Sequence, residues 1–316
     1  MRIDGSWDNL SRGTDSLSQL PRMNVGFLGL GVMGTPMALN LCRKFPTIVW
    51  NRTAYKSAEL VRAGAKLGQT PAKVVEESDI VFTMMFDGPA IRSVMDEDFR
   101  NALRGKTLIN TSSVSVDFSQ GMAKEVHEAG GKFIEMPVSG SRVPAEMGNL
   151  VGMMAGDKTE CERIRPFVEP ITSAAIYCGP IGAGLKMKYA VNTFLIAITV
   201  GLAESMNLAR AQGLDMEAFS SVLDAGPLAS PYSKLKLAKV AKADWSPQAA
   251  VKDCYNSTEL IRTAAAAAEA KTPLIQICNS LYGQAMDSGL GDEDMIAIYR
   301  VLSEQQADHS AKPDEV

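Results

Sequence analysis

The feature that most constrains the fold of this chain is a glycine-rich hexapeptide between an apolar run and a helical pattern. It consists of Gly29, Leu30, Gly31, Val32, Met33 and Gly34. In a strand-to-helix turn, the first glycine allows a tight bend, the second lets the backbone approach a pyrophosphate, and the third lets the helix pack close to the strand. Because helix N-termini favour phosphate charge, this context predicts a dinucleotide-binding turn. A purely structural glycine turn is the alternative.

The alternation of short apolar runs with helical stretches predicts the rest of the fold. From Asn24 to about Gly182, the apolar runs include TIVWN, DIVFTMM, KTLINTS, KFIEMPVS and LVGMMAG. Helical segments of about ten residues separate them, among them a single helix expected from Ala90 to Leu103, which predicts βαβ units and a parallel sheet. From Gly184 onward nearly every segment has helical periodicity. We therefore predict the α/β class, with an N-terminal Rossmann-type doubly wound parallel sheet, a long interdomain helix and an all-α C-terminal domain.

The end of the second apolar run indicates which nucleotide is bound. An NAD-binding turn is usually followed, about twenty residues on, by an acidic residue for the ribose hydroxyls. Here the neutral Asn51 is followed by Arg52 and Thr53. Since a guanidinium pairs with a 2′-phosphate that a carboxylate would repel, NADPH is the expected cofactor, with a solvated surface arginine as the alternative. Met85, the last residue of the run DIVFTMM, and Phe86, which follows it, are also expected to contact the cofactor.

These patterns divide the chain into four segments. Residues 1–22 are expected to be a flexible extension, 23–183 an NADP-binding Rossmann domain, 184–303 an all-α domain for substrate binding and dimerisation, and 304–316 a flexible tail. The first segment is polar and lacks the apolar core of a secretory signal, and a targeting segment is the alternative. The apolar stretch 194–203 is shorter than the roughly 20 residues that span a bilayer, so a buried core helix is expected there.

Net charge and residue usage restrict the class of partner. The chain has 32 Lys and Arg and 36 Asp and Glu, which gives a formal charge of −4. This balance attracts neither nucleic acid nor an anionic membrane, so a small molecule is the expected partner. The two histidines and five scattered cysteines lack metal-ligand spacing, so no metal is expected. The odd, unpatterned cysteine set favours a reducing compartment, and a cytoplasmic location is expected.

A basic run in the helical part has two interpretations. Its members are Lys234, Lys236, Lys239 and Lys242. We expect a solvated helix face, because the chain as a whole is acidic. An anion or nucleic-acid site is the alternative.

The first turns of the predicted interdomain helix carry a candidate proton donor. Lys188 and Asn192 are four residues apart and lie on one helix face, whereas Lys186 projects elsewhere. A lysine desolvated at a domain cleft can donate a proton to a developing alkoxide, and an amide can hold its ammonium in one rotamer. From spacing alone, a solvated lysine in an ordinary helix is an open alternative.

Five motifs in this order resemble the β-hydroxyacid dehydrogenase family. They are VGFLGLGVMG from Val25, NTSSVS at 110–115, MPVSGSRVPAEMG at 136–148, GAGLKMKYAVN at 182–192 and VKDCYN at 251–256. The resemblance extends from about Asn24 to Leu302. The third motif, with LDAGPLASP at 223–231 and GDEDM at 291–295, is most similar to the glyoxylate/succinic semialdehyde reductase and γ-hydroxybutyrate dehydrogenase branch. That similarity implies NADPH-dependent reduction of small aldehydes bearing a carboxylate, or oxidation of the corresponding hydroxy acids.

The resemblance also implies roles for individual residues. Lys188 would act as the general acid/base, with Asn192 as its partner. The residues implied to bind the substrate are Ser139, Gly140, Ser113, Trp245 and Asp253. The residues implied to bind the cofactor are Ser113 and Lys252. A Ser-Gly turn offers amide donors and a hydroxyl to a carboxylate, and a lysine can protonate the carbonyl oxygen as hydride leaves the nicotinamide. An ordinary turn at 139–140 and a surface ion pair at 252–253 are the alternatives. A homodimer or homotetramer is expected on the same resemblance.

Departures from the family pattern leave the substrate open. Trp245 puts a larger aromatic residue where Phe-Pro-Leu is usual, and Cys254 replaces an apolar residue after Lys-Asp. A decarboxylating 6-phosphogluconate-type enzyme would have His at the position of Val191, and imine reductases typically lack the lysine at 188. An imine reductase of the same fold and a non-catalytic NADP-binding scaffold protein are the alternative functions.

Overall fold

The computed structural model describes residues 23–303. The predicted flexible extension at 1–22 and the predicted flexible tail at 304–316 lie outside the described residues. Within them, the N-terminal part forms one nine-stranded sheet. The strands are β1 (Val25–Leu28), β2 (Thr47–Trp50), β3 (Lys66–Leu67), β4 (Ile80–Thr83), β5 (Thr107–Asn110), β6 (Lys132–Glu135), β7 (Val138–Ser139), β8 (Leu150–Gly156) and β9 (Thr172–Gly179).

The strand order is β3-β2-β1-β4-β5-β6-β8-β7, and β9 pairs with β8. The strands from β3 to β6 are parallel to one another. The order reverses between β1 and β4, and doubly wound sheets bind their ligands in the crevice at the carboxyl ends of such strands. The predicted α/β fold class is confirmed.

The sheet departs from the expected parallel arrangement at one side, where β8 runs antiparallel to β6 and β7. Two neighbouring parallel strands need a crossover connection of about a dozen residues or more, which is usually helical. Between β7 and β8 the chain turns back through residues 140–149, which hold a helix of only 5 residues. This connection is too short for a parallel crossover, so β8 runs antiparallel to β7.

Short helices flank the sheet. They are α1 (Gly34–Cys42), α2 (Ala58–Arg62), α3 (Pro71–Glu76), α4 (Gly88–Arg92), α5 (Glu97–Ala102), α6 (Val116–Glu128), α7 (Arg142–Glu146), α8 (Lys158–Arg163) and α9 (Arg165–Val168). A single helix was expected from Ala90 to Leu103, but the structure has two. The side chain of Asp96 accepts a hydrogen bond of 2.8 Å from Phe99 N–H and so begins a new helix within that stretch.

The C-terminal part is all-helical within the described residues. It contains α10 (Ala183–Ala211), α11 (Met216–Ala225), α12 (Pro231–Ala241), α13 (Val251–Ala267) and α14 (Pro273–Asp287). By length and composition, α10 meets the criteria for a membrane-crossing helix. In this structure, however, it packs against β8, α13 and α14, and its polar residues Lys188, Asn192 and Thr199 are buried. The expected core helix at 194–203 is buried on one face, while Phe194 is 70% exposed on the other.

Two apolar clusters fill the interior, one on each face of the sheet. Phe27 belongs to the cluster that packs on α1, whereas its neighbour Leu28 belongs to the cluster on the opposite face, because successive strand side chains point to opposite sides. The second cluster continues through Leu185 and Tyr189 of α10 into the helical part. The sheet and the helical part thus share one continuous apolar core.

Candidate active site

The glycine turn between β1 and α1 has the shape that a dinucleotide requires. Gly29 has φ +101°, and a Cβ there would lie 2.2 Å from the carbonyl oxygen of Met84. A Cβ at Gly34 would lie 1.9 Å from the carbonyl oxygen of Gly29. In contrast, a Cβ at Gly31 would extend into open space. The outer two glycines therefore let the turn and helix pack, and the middle one leaves room for a phosphate group, so these residues fit a nicotinamide dinucleotide.

The end of β2 is joined to the glycine turn by Asn51. Its side-chain oxygen accepts a hydrogen bond of 2.9 Å from Leu30 N–H, and its side-chain nitrogen donates one of 3.0 Å to the carbonyl of Thr53. Arg52 is exposed and makes no hydrogen bond or ion pair with the described residues. The guanidinium is therefore available to an anionic ligand at this edge of the sheet.

A cleft of about 630 Å³ lies beside the glycine turn, between α1, α2 and α7. Its lining includes Gly31 and Val32 of the turn, and Tyr55 and Lys56 of the short 3-10 helix that follows Arg52. Lys56 was not among the predicted site residues. The signal was present, because the run NRTAYK places a second cation four residues after Arg52.

The loops after β4 and β5 are tied together at the same edge of the sheet. Met85 N–H donates a hydrogen bond of 2.8 Å to the hydroxyl of Ser112, and the hydroxyl of Thr111 donates one of 2.7 Å to the carbonyl of Thr83. Phe86 is 50% exposed at this edge. Ser113, which follows Ser112 directly, is partly exposed, so the predicted cofactor residues of both strands lie in neighbouring loops.

The predicted carboxylate-binding turn follows β6 and β7. Gly140 has φ +126°, and a Cβ there would lie 2.7 Å from a methyl carbon of Leu150. Only glycine fits this backbone without strain. Ser139 is partly buried and Gly140 is exposed, so the turn presents its backbone and a hydroxyl at the same sheet edge as the glycine turn.

Glu135, which the sequence analysis missed, connects this edge to α10. It is fully buried, and its carboxylate accepts hydrogen bonds from Gly182 N–H at 3.0 Å and Leu185 N–H at 2.9 Å, and from the hydroxyl of Ser119. Burial raises the pKa of Glu135, while these hydrogen bonds oppose the rise. The acceptor satisfies amides that have no partner within a helix. A lone acid in the apolar run KFIEMPVS was the available signal.

This arrangement places Lys188 and Asn192 at the junction between the sheet and the helical part. Tyr189 donates a hydrogen bond to the carbonyl of Val114, next to Ser113, so the first turns of α10 lie against the loops after β5 and β6. Lys188 is 8% exposed, and burial lowers its pKa to about 8. No carboxylate among residues 23–303 forms an ion pair with its ammonium.

Asn192 shares the buried face of α10 with Lys188. Its side-chain nitrogen donates a hydrogen bond of 3.3 Å to the hydroxyl of Ser257 on α13. Its side-chain oxygen is buried without a partner among the described residues. An unsatisfied buried acceptor is costly, so this oxygen is available to an ammonium or a ligand hydroxyl.

Three predicted site residues of the helical part, Trp245, Lys252 and Asp253, lie in different environments. The guanidinium of Arg300 lies 5.9 Å from the ring centroid of Trp245. Lys252 forms an ion pair with Asp292 on the surface, and Asp253 accepts a hydrogen bond of 3.0 Å from Ala250 N–H. The surface ion pair considered for Lys252 therefore forms with a different aspartate. Their roles toward cofactor and substrate stay predictions.

The expectation of a solvated lysine face on α12 is wrong for two of its four members. Lys236 and Lys239 are 2% and 4% exposed, whereas Lys234 and Lys242 are exposed. Lys236 forms an ion pair of 2.6 Å with the fully buried Asp294, and Lys239 donates a hydrogen bond of 2.7 Å to the carbonyl of Ser246. The acidic composition of the whole chain did not reveal these partners, because Asp294 comes from a distant segment and Ser246 lies beyond the end of the helix.

The cysteines show no pairing or metal-binding arrangement within the described part of the chain. All five are free, and Cys161, Cys254 and Cys278 are buried. Burial raises the pKa of the Cys254 thiol to about 12, so it stays protonated at neutral pH. No group of three or more His, Cys, Asp or Glu residues between 23 and 303 is arranged to hold a metal ion. The buried thiols act as small apolar side chains.

Comparisons with known proteins agree with this arrangement. Residues 24–179 match the family described as the NAD binding domain of 6-phosphogluconate dehydrogenase, and residues 182–302 match NAD-binding of NADP-dependent 3-hydroxyisobutyrate dehydrogenase. Over 284 residues, the chain is 33% identical to glyoxylate/succinic semialdehyde reductase 1 of Arabidopsis thaliana, which covers 89% of this chain and 98% of that protein. The chain belongs to the β-hydroxyacid dehydrogenase family. As a β-hydroxyacid dehydrogenase, it is an oxidoreductase that binds a nicotinamide nucleotide and acts on a small molecule.

Two further comparisons extend the match for this β-hydroxyacid dehydrogenase. It is 33% identical over 288 residues to glyoxylate/succinic semialdehyde reductase 2, chloroplastic, of Arabidopsis thaliana, covering 90% of this chain and 80% of that protein. The crystal structure of 3-hydroxyisobutyrate dehydrogenase from Salmonella typhimurium superposes with a TM-score of 0.82 at 22% identity, covering 88% of this chain and 99% of that one. The second match shows the shared fold.

Proposed function

We propose that this protein is an NADPH-dependent reductase of a small carboxylate-bearing aldehyde, such as succinic semialdehyde or glyoxylate, or an NADP⁺-dependent dehydrogenase of the corresponding hydroxy acid. The observation that carries the proposal is the buried Lys188, whose pKa burial lowers to about 8. It lies on a helix that Glu135 joins to the carboxyl edge of the sheet. The names of the two Arabidopsis reductases support the substrate class.

The residues of the site divide the chemistry between them. The bound nicotinamide would supply hydride to the carbonyl carbon. Lys188 donates a proton to the carbonyl oxygen, and the side-chain oxygen of Asn192, which has no partner among the described residues, is free to accept a hydrogen bond from the ammonium. The amides and hydroxyl of the Ser139-Gly140 turn bind the carboxylate, and Ser113 would contact the nicotinamide of the bound cofactor. A proton donor with a pKa near neutral pH suits both reduction and the reverse oxidation.

NADPH is the proposed form of the cofactor because of the charge at the end of β2. The carboxylate that would select NADH is absent, and Asn51 instead fixes the glycine turn through its bond to Leu30. Arg52 and Lys56 place two cations beside the turn, and a 2′-phosphate would pair with them. A metal is not part of this proposal.

An assembly of identical subunits is also proposed. The helical part exposes several large apolar side chains, namely Phe194 at 70%, Leu208 at 59%, Val222 at 73%, Leu228 at 75% and Leu274 at 63%. Where exposed apolar side chains adjoin one another, they usually mark a protein interface, and the proposal is that these do. Light scattering on the purified protein distinguishes a dimer or tetramer from a monomer.

The decisive experiment follows NADPH oxidation with succinic semialdehyde, glyoxylate and butyraldehyde as substrates. A site that binds a carboxylate penalises the analogue that lacks it, so butyraldehyde should be reduced far less efficiently. Equal kcat/KM for succinic semialdehyde and butyraldehyde would remove the carboxylate turn from the proposal. No reduction of any aldehyde together with reduction of a cyclic imine would favour the imine reductase alternative.

A further inference from the structure

Gln248 joins the helical part to the turn that follows β7. Its backbone carbonyl accepts a hydrogen bond of 3.3 Å from Arg142 N–H, and its side-chain oxygen accepts one of 3.4 Å from the hydroxyl of Ser141. Ser141 and Arg142 directly follow the Ser139-Gly140 pair. Gln248 therefore lies over the proposed carboxylate turn, and it reaches that turn from a different part of the fold.

The backbone position of Gln248 is fixed through a buried ion pair between Lys236 and Asp294. Its backbone N–H donates a hydrogen bond of 2.9 Å to one carboxylate oxygen of Asp294. The other oxygen of Asp294 accepts a bond of 2.6 Å from Lys236, and Asp294 N–H donates to the carbonyl of Trp245 at 2.9 Å. Asp294 is 0% exposed. Since a buried, charge-assisted network is rigid, the segment 245–248 holds one position before any ligand arrives.

One polar group of Gln248 is left free by these contacts. The backbone N–H, the backbone carbonyl and the side-chain oxygen all have partners, whereas the side-chain nitrogen has no hydrogen-bond partner among residues 23–303. A primary amide nitrogen carries two donors and no acceptor. Its natural partner is an anion or a carbonyl oxygen. The turn below it is the part of the site to which a substrate carboxylate is assigned.

We propose that Gln248 is a specificity-determining residue, whose side-chain amide donates a hydrogen bond to the substrate carboxylate held by the Ser139-Gly140 turn. This inference rests on the proposed function, since it deepens the recognition of the same substrate. The carboxylate is then bound from both sides, by the turn of the sheet part and by the amide of the helical part. Selection for an acid group therefore depends on how the two parts meet.

Gln248→Glu is the sharpest test, because it keeps the size, the oxygen that accepts from Ser141 and the backbone contacts, and replaces only the donor. A second carboxylate beside the substrate acid removes a charge-assisted bond and adds repulsion. The ratio of kcat/KM for succinic semialdehyde to that for butyraldehyde should fall about tenfold to a hundredfold, mostly through KM. Gln248→Leu, which removes the donor without adding charge, should give a smaller fall in the same direction.

Gln212→Glu is the matched control, since it makes the same chemical change at an exposed position just after α10. It should leave the ratio as in the unmodified protein. NADPH binding, followed by the fluorescence of the cofactor, should be the same in all variants. If Gln248→Glu lowers kcat/KM for both aldehydes by the same factor, Gln248 does not contact the carboxylate and the inference is overturned, while the proposed function stands.

A binding measurement separates the two proposals. Calorimetric titration of the NADPH-saturated protein with 4-hydroxybutyrate reports carboxylate binding without turnover, because the reduced cofactor cannot accept a hydride from the hydroxy acid. If no aldehyde is reduced but Gln248→Glu still weakens 4-hydroxybutyrate binding tenfold or more, the proposed reaction fails and the role of Gln248 as a carboxylate ligand is supported. If the unmodified protein binds no 4-hydroxybutyrate and reduces no aldehyde, both are overturned.

Discussion

The carboxylate of Glu135, at the last residue of β6, accepts a hydrogen bond of 2.9 Å from the backbone N–H of Leu185 in the first turn of α10. The proposed carboxylate turn begins four residues after Glu135, and the proposed proton donor lies three residues after Leu185. Together with the bond from Gly182 N–H, this buried hydrogen bond helps to fix the distance between the group that holds the substrate and the group that reacts with it. A shift of α10 along the sheet would break this bond.

Glu135→Leu is expected to lower the free energy of unfolding by about 2–4 kcal/mol, because it leaves buried amides at the start of α10 without an acceptor. Chemical denaturation measures the change. Glu135→Gln keeps one acceptor oxygen and should cost clearly less. Glu128→Leu, at an exposed position of α6, is the control. Equal effects at the two positions would show that the bonds to Gly182 and Leu185 contribute nothing to stability.

Lys188→Met should reduce kcat for aldehyde reduction by about 10²–10⁴-fold, the usual contribution of a general acid. NADPH binding should survive, since the glycine turn and Arg52 are untouched. Steady-state kinetics and cofactor fluorescence give the two readouts. Lys186→Met, at an exposed position of the same helix, should change kcat little. The reverse pattern would mean that Lys186 is the acid and that the motif alignment is shifted.

The pH profile of reduction should report the same lysine. Only its protonated form donates a proton, and burial lowers its pKa to about 8. kcat/KM for aldehyde reduction should therefore decline as the pH rises through about 8. Oxidation of the hydroxy acid needs the neutral amine, so its kcat/KM should rise over the same range. A reduction rate that stays constant up to pH ~10, the ordinary lysine range, would contradict the assignment.

The buried lysine should also lower stability at neutral pH. Its folded-state pKa of about 8 lies below the ordinary value of 10.5, so the unfolded chain binds the proton more tightly. Stability is therefore reduced below pH 8 and recovers as the pH rises toward 10.5. Lys188→Met should raise the free energy of unfolding at pH 7 by about 1–3 kcal/mol, with the gain shrinking in alkaline buffer. Urea denaturation at several pH values tests this, and a loss of stability at pH 7 would refute it.

Arg52→Ala is expected to weaken NADPH binding about tenfold to a hundredfold while NADH binding changes little, because only NADPH carries the 2′-phosphate. Fluorescence titration with both cofactors measures the difference. Arg104→Ala removes an exposed arginine at the opposite end of β5, away from the glycine turn, and serves as the control. An equal loss for NADH and NADPH would show that Arg52 does not recognise the phosphate.

Periodicity and short motifs predicted the parts of this fold that depend on local burial. The glycine turn, the alternation of strands and helices, and the spacing of Lys188 and Asn192 on one helix face all follow from neighbouring residues. The reversal of β8 does not, because an apolar strand has the same pattern whichever way it runs. The expected single helix from Ala90 to Leu103 fails for a local reason, since Asp96 caps a second helix there.

The long-range polar contacts of the site were beyond such patterns. Glu135 and Leu185 are 50 residues apart, and Lys236 and Asp294 are 58 residues apart. A charged residue in an amphipathic segment is ordinarily exposed, and its burial becomes visible only when the partner from the other segment is in place. The same holds for Gln248, whose contacts with residues 141 and 142 depend on how two separate parts of the chain meet.

The buried pair of Lys236 and Asp294 restricts how sequences like this one can diverge. Replacing either residue alone leaves an uncompensated charge in the interior, at a cost of about 3–5 kcal/mol, whereas replacing both with apolar residues is often neutral. The free energy of unfolding of most proteins is only about 5–15 kcal/mol, so either single replacement would remove a large part of the stability. In homologous chains the two positions are therefore expected to covary, either both charged or both apolar. A homologous chain that keeps one of the two charges without the other is expected to have a new charged partner near it.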